Sequence, residues 1–82
     1  MELHYTLHAE QRLAKRQLRK EWVERTVAAP ALIMPDETNP ALEHRLAAIP
    51  ELAERVLRVI VSRQVPHRVI TAHLDRTMKG KL

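Results

Sequence analysis

Val56-Leu57-Arg58-Val59-Ile60-Val61-Ser62 is the stretch that decides the fold. Branched aliphatic side chains dominate it and one arginine interrupts it, a pattern that packs well on a pleated sheet and poorly in a helix. Gln64-Val65-Pro66 then supplies a short reversal, and Arg68 to Leu74 returns as a second strand. Upstream of this hairpin, Pro50 to Glu54 reads as a connection with a single helical turn. Leu42 to Ile49 reads as a further strand, with Glu43 and His44 out of pattern. Asp36 to Pro40 is a turn, and Ala31-Leu32-Ile33-Met34 is a short apolar run stopped by Pro35.

The first third differs because it lacks proline, which blocks helix interiors: all five prolines fall at Pro30 or later. Thr6 is placed to cap a helix starting near Leu7, since its hydroxyl can accept from an orphan backbone N–H. Leu7, Ala14 and Leu18 share a stripe at helical spacing and are the expected buried face. Farther on, Trp22, Val23, Thr26 and Val27 fall together, with Glu21, Glu24 and Arg25 elsewhere. Periodicity does not separate one helix from two; the favoured reading is two, broken around Gln17–Arg19 and ended by Pro30. The expected architecture is a single α+β domain over residues 1–82. Helices at about 7–29 pack on a twisted antiparallel sheet of three to four strands at about 31–76, followed by a basic tail at 77–82.

Composition removes whole classes of chemistry. Eighty-two residues without a cysteine have no disulfide, thiolate zinc site or cysteine nucleophile. Gly80 is the only glycine, so no glycine-rich phosphate loop exists. No run approaches the ~18 apolar residues of a membrane span and no signal-peptide pattern opens the chain, so a soluble cytoplasmic protein is expected. The net charge of +4 is unevenly spread. Residues 1–30 carry +2, residues 31–55 carry −3, and residues 56–82 carry +5 with Asp75 as their one acid. A basic end on so small a domain points to an anionic partner, nucleic acid first, although a solvated charged face is the plainer reading.

Two constellations could carry chemistry. His8, Arg12 and Arg16 stand at i, i+4 and i+8, in a sector of the helical wheel shared with Lys15 and Arg19. An imidazole moves protons near neutral pH and guanidinium groups neutralise phosphate charge, which suffices for metal-independent cleavage in which the ribose 2′-hydroxyl attacks its own phosphate. On the last strand, alternation puts Val69, Thr71, His73 and Asp75 on one face and Arg68, Ile70, Ala72, Leu74 and Arg76 on the other. Asp75 either orients His73 or ends the strand. Arg76, Lys79 and Lys81 are candidates for backbone phosphate contacts, as are Lys15, Arg19 and Arg68. Five histidines (His4, His8, His44, His67 and His73) show no metal-ligand spacing, so neither a metal site nor a cofactor is expected.

Thr6-Leu7-His8-Ala9-x-x-Arg12-x-x-x-Arg16-x-Leu18, followed by Trp22-Val23, resembles the opening of the family filed as domain of unknown function 4258. Arg55 to Val61 and Val69-Ile70-Thr71-Ala72-His73-Leu74-Asp75-Arg76 are similar to its closing hairpin. Gln17 stands where that family often has a turn glycine, and His73 where it often has an aromatic. The resemblance implies a fold similar to the RelE/ParE-like and barnase-like ribonuclease toxins, which act on RNA and pair with an antitoxin. It also implies site roles for His8, Arg12, Arg16, Arg58 and Thr71, to which strand geometry adds His73. The expected function is therefore a metal-independent ribonuclease of a toxin–antitoxin pair. His8 would be general base or acid, Arg12, Arg16 and Arg58 would hold the phosphate, and Thr71 or His73 would complete the site. The alternatives are a non-catalytic nucleic-acid- or protein-binding module of the same fold, and a partner-binding domain that pairs through an exposed sheet edge, as a homodimer or with an antitoxin.

Overall fold

The computed structural model describes residues 2–82. Strand β1 (Leu3–Tyr5) leads into helices α1 (Leu7–Arg16) and α2 (Lys20–Ala28). Four strands follow: β2 (Leu32–Pro35), β3 (Leu42–Ile49), β4 (Arg55–Ser62) and β5 (His67–Leu74). Single 3₁₀ turns lie at Pro50–Leu52 and Arg76–Met78. The α+β class stands, with two helices, but the sheet is five-stranded and mixed rather than three- to four-stranded and antiparallel. Its order is β1-β5-β4-β3-β2, with β1 parallel to β5 and every other pair antiparallel. The added strand pairs Leu3 with His67 across the length of the chain, so the sheet begins at Leu3 and not near residue 31.

Thr6 caps α1 as its sequence position suggests, accepting from the Ala9 N–H at 3.0 Å. The helix ends where Gln17 turns left-handed, at φ 55° and ψ 41°. The Leu18 N–H reaches back to the Leu13 carbonyl at 2.9 Å and the Gln17 N–H to that of Ala14 at 3.2 Å, satisfying carbonyls the helix leaves bare. Leu13 and Leu18 are both buried, the apolar contact that accompanies such a turn. The buried face of α1 is consequently Ala9 and Leu13, continued by Leu18 beyond the turn. Of the expected stripe only Leu18 is buried: Leu7 is 73% exposed, and Ala14 is exposed too. Arg19 lies past the turn and pairs with Glu21 at 2.7 Å, so it does not share the α1 face with Lys15 and Arg16.

Helix α2 buries Trp22, Val23, Thr26 and Val27 together. They meet Leu57, Val59 and Val61 of β4, Ile49 of β3, and Val69 and Ala72 of β5 in one core. Fully burying such aliphatic side chains contributes roughly 1.5–3 kcal/mol each. On the same side Arg45 of β3 donates to the Val27 carbonyl at 2.7 Å, a cation on the last turn of α2. The opposite face carries Leu46, Val56, Arg58 and Ile60. Strict alternation fails once in β5: Val61 pairs with Val69, yet Ile60 pairs with Thr71. The extra residue is a β-bulge, so Val69 joins the helix-side core while Thr71 and His73 stay on the other face, opposite Ile60 and Arg58. Among the described residues, no helix is long and apolar enough to cross a membrane.

Candidate functional site

Strand β1 covers β5 only at residues His67 to Val69, leaving the outer edge beyond them with unpaired carbonyls. Side chains from the start and end of α1 satisfy that edge. Thr6 Oγ1 donates to the Ile70 carbonyl at 3.2 Å, and Arg16 Nη1 donates to that of Ala72 at 2.7 Å. One hydrogen bond thus fixes Arg16 beside the end of β5, with the rest of its guanidinium free.

The chain after β5 is turned by Asp75. Its Oδ1 accepts from the Thr77 N–H at 3.0 Å and hydroxyl at 2.6 Å, closing the 3₁₀ turn. Its Oδ2 accepts from Arg58 Nε and Nη2 at 2.9 and 2.8 Å. Asp75 therefore ends the strand and binds Arg58, and it makes no hydrogen bond to His73. The first residues of the basic tail are folded, with Met78 half-buried and Arg76 and Lys79 lining a surface depression.

Two adjoining clefts result. One, of about 470 Å³, is lined by Arg55, Val56, Leu74, Asp75, Arg76 and Lys79. The other, of about 460 Å³, is lined by Arg16, Leu18, Arg55, His73, Leu74 and Arg76. Arg55, Leu74 and Arg76 belong to both. Arg16, Arg55, Arg76 and Lys79 gather here with no carboxylate partner among the described residues, whereas the other such cations, Arg12, Lys15, Arg68 and Lys81, lie outside the clefts. The one carboxylate in the clefts, Asp75, is already neutralised by Arg58.

His73 stands in this basic setting. Burial, and then the charges of Arg16 and Arg58, push its pKa below the ordinary 6.5, with Asp75 opposing. These effects favour the neutral imidazole, and neither ring nitrogen has a hydrogen-bond partner among the described residues. A neutral imidazole beside unpaired guanidiniums can accept a proton from a group bound to them.

Behind the cleft, a hydrogen-bonded chain crosses the same sheet face. Asp36 Oδ1 accepts from His44 Nε2 at 2.7 Å, and Arg58 Nη1 donates to His44 Nδ1 at 2.7 Å. Arg58 then joins Asp75 as described. Because guanidinium only donates, His44 carries its proton on Nε2 and both its nitrogens are engaged. The hydrogen bond from His44 above all, and those from the backbone of Asn39 and Thr38, hold the Asp36 carboxyl at about 2. The Thr77 hydroxyl, followed by Arg58, holds Asp75 at about 2.

The structure thus brings together Arg16, His73, Arg76 and Lys79 from the sequence-derived set and adds Arg55 to them. His8 is exposed and eight residues before Arg16, roughly 12 Å along the helix axis at ~1.5 Å per residue. Neither His8 nor Arg12 lines the clefts. Arg58 lies behind them, committed through three nitrogens to His44 and Asp75, and Thr71 sits half-buried farther up β5. Arg68 is at the other end of β5, while Lys15 and Lys81 are exposed outside the clefts. Among the described residues, no group of three His, Asp or Glu side chains stands close enough to hold a metal ion.

The sequence model for domain of unknown function 4258 (DUF4258) matches residues 5–73. The chain belongs to this family. No curated protein and no solved structure matches it. The DUF4258 match runs from the last residue of β1 through both helices to His73. Within it lie Arg16, Arg55 and His73, whereas Asp75, Arg76 and Lys79 follow it.

Proposed function

We propose that this DUF4258 domain is a RelE/ParE-like ribonuclease toxin that cleaves RNA without a metal ion, using the cleft at the end of β5. The observation that carries the reading is His73, an imidazole whose neutral form is favoured and which has no hydrogen-bond partner among the described residues, in a cleft with the unpaired cations Arg16, Arg55 and Arg76. In the proposed step His73 takes the proton of a ribose 2′-hydroxyl as its oxygen attacks the adjacent phosphorus. The P–O5′ bond breaks, and the leaving 5′-oxygen takes a proton from water reaching the open cleft. The products are a 2′,3′-cyclic phosphate and a 5′-hydroxyl. The arginines offset the charge that builds on the phosphoryl oxygens. The partner proposed with this activity is an antitoxin, or a second copy of the chain, pairing along β2. That strand is outermost in the sheet and has exposed Ile33 and Met34, which supports a role as a pairing edge.

The test is expression of the chain with and without His73→Ala, reading growth and RNA integrity together, with purified protein incubated with RNA in chelator. Growth arrest with chelator-resistant RNA cleavage that His73→Ala removes is the expected result. A harmless protein that leaves RNA intact overturns it. A second reading, binding of RNA phosphates without cleavage, is favoured by one observation: His73 is the only histidine lining the clefts, so no second imidazole is there to act as acid. Tight, salt-sensitive RNA binding without strand scission is its signature.

A further inference from the structure

We propose that the two adjoining clefts are two nucleotide subsites flanking one phosphate, so that the ligand is a dinucleotide step of single-stranded RNA bound in a fixed direction. The inference rests on the cleft being the RNA site proposed above, and deepens it by naming what the site holds. Its basis is the sharing of walls. Arg55 and Arg76 border both clefts, and neither has a carboxylate partner among the described residues, so an anion at the common wall meets two free guanidiniums. Leu74 floors both clefts, and each adds one buried apolar residue of its own, Leu18 in one and Val56 in the other. Each volume, about 460 and 470 Å³, lies within the ~300–1,000 Å³ typical of small-ligand sites. Two free guanidiniums between two adjoining clefts match a phosphodiester with a nucleoside on either side.

The same layout selects strandedness and direction. In a duplex the bases are paired and stacked inside, and both apolar floors would face backbone. In a single strand the bases can splay onto apolar side chains and arginine planes. Direction follows from His73, which lines only the cleft shared with Arg16 and Leu18. The attacking 2′-hydroxyl belongs to the nucleotide on the 5′ side of the phosphate, so that nucleotide occupies the His73 cleft. The nucleotide on the 3′ side occupies the cleft of Val56 and Lys79. With no aromatic side chain in either cleft, base preference is weak and affinity rests mainly on the phosphate.

The test is an NMR titration of the ¹⁵N-labelled chain with a dinucleoside monophosphate carrying a 2′-O-methyl group on its 5′ nucleotide, which prevents cleavage. A 3′-nucleoside monophosphate and a short RNA duplex serve as comparisons. The dinucleotide is expected to bind about tenfold tighter than the monophosphate and to shift the amides of Leu18, His73, Val56 and Lys79 together. Arg55→Gln, an exposed position, should remove that advantage while leaving the rest of the spectrum unchanged. A spin label on the 5′ base should broaden Leu18 and His73, and one on the 3′ base Val56 and Lys79. Equal affinity for monophosphate and dinucleotide, equal affinity for the duplex, or the reversed broadening pattern each overturns the proposal. RNA cleavage alongside any of these leaves the ribonuclease reading standing, whereas ordered dinucleotide binding without cleavage of longer RNA removes that reading alone.

Discussion

The guanidinium of Arg58 donates to the imidazole of His44 at 2.7 Å, from the middle of β4 to a histidine on the neighbouring strand β3. That bond fixes the His44 tautomer and joins the β2–β3 turn, through Asp36, to the 3₁₀ turn after β5, through Asp75. The turn that carries Arg76 and Lys79 is thereby fastened to the centre of the sheet. Side chains at the four positions are only 13–18% exposed, so each depends on its neighbours for hydrogen bonds.

Arg58→Leu keeps the apolar part of the side chain and leaves two half-buried acceptors, His44 Nδ1 and Asp75 Oδ2, without their donor. A half-buried polar group left unsatisfied costs about 1–3 kcal/mol. A loss of that order in urea unfolding is expected, with weaker RNA binding as the Arg76–Lys79 turn loosens. A variant as stable as the parent would mean that the chain of hydrogen bonds adds nothing to the fold.

Acid should act through the ends of this chain. The Asp36 and Asp75 carboxyls are held at about 2, below their ordinary 3.8, so folding favours their ionised forms. Their contribution is complete above the unfolded-state value and disappears as pH falls toward the folded-state value. Thermal melts should therefore show a loss of stability between about pH 4 and pH 2. Asp75→Asn should shrink that drop while lowering stability at neutral pH, and an identical drop in the variant would clear Asp75 of any part in it.

Gln17 adopts φ 55° where a Cβ is disfavoured, so Gln17→Gly should stabilise the chain despite adding freedom to the unfolded state. Relief of left-handed strain is worth roughly 1–2 kcal/mol, and the entropic penalty offsets part of it. A net gain of about 0.5–1 kcal/mol in denaturant unfolding is expected. A loss would show that the glutamine side chain makes a compensating contact.

The hairpin of β4 and β5 is legible because its aliphatic run and the return strand carry their pattern within about twenty residues. The helix break was favoured but not fixed, because periodicity does not separate one helix from two and Gln17 takes the left-handed turn where a glycine would have marked it. Strand β1 was not. Three residues carry no period, and what makes them a strand is His67, far along the chain. On α1 the few apolar residues allow two stripes, and Ala9–Leu13 prevailed over Leu7–Ala14 because Leu18 reaches Leu13 only through the left-handed turn. The bulge between Val69 and Thr71 is likewise invisible to alternation. Arg16, His73, Arg76 and Lys79 could be picked out singly, but their meeting depends on the Ala72 carbonyl and on Asp75. Arg55, at the first position of β4, gave no signal of its own. The out-of-pattern His44 was the one hint of the Asp36–Arg58 chain.

Salt dependence should count the cleft cations one by one. Each phosphate neutralised on a single strand contributes about −0.7 to the slope of log K against log salt. Arg55→Gln, Arg76→Gln and Lys79→Gln should each make the slope shallower by about that amount, at similar affinity loss across RNA sequences. Arg68→Gln, at the far end of β5, is the matched comparison outside the clefts. Equal effects from Arg68 and Arg55 would describe a diffuse basic surface and no site.

The pH profile of cleavage separates the two imidazoles on which the chemistry could rest. Removing a general base typically costs 10²–10⁴-fold, and that loss is expected for His73→Ala. Because burial and the charges of Arg16 and Arg58 lower the His73 pKa, the base is less protonated than an ordinary histidine at the same pH. The acid limb of the cleavage profile should accordingly lie at lower pH than that of an ordinary histidine. Arg16→Gln withdraws one of the charges that depress the pKa, so the acid limb should move to higher pH in that variant. A merely structural Arg16 would lower the rate without moving the limb. A loss confined to His8→Ala, with His73→Ala unaffected, would transfer the reaction to the exposed face of α1 and leave the cleft as a binding surface only.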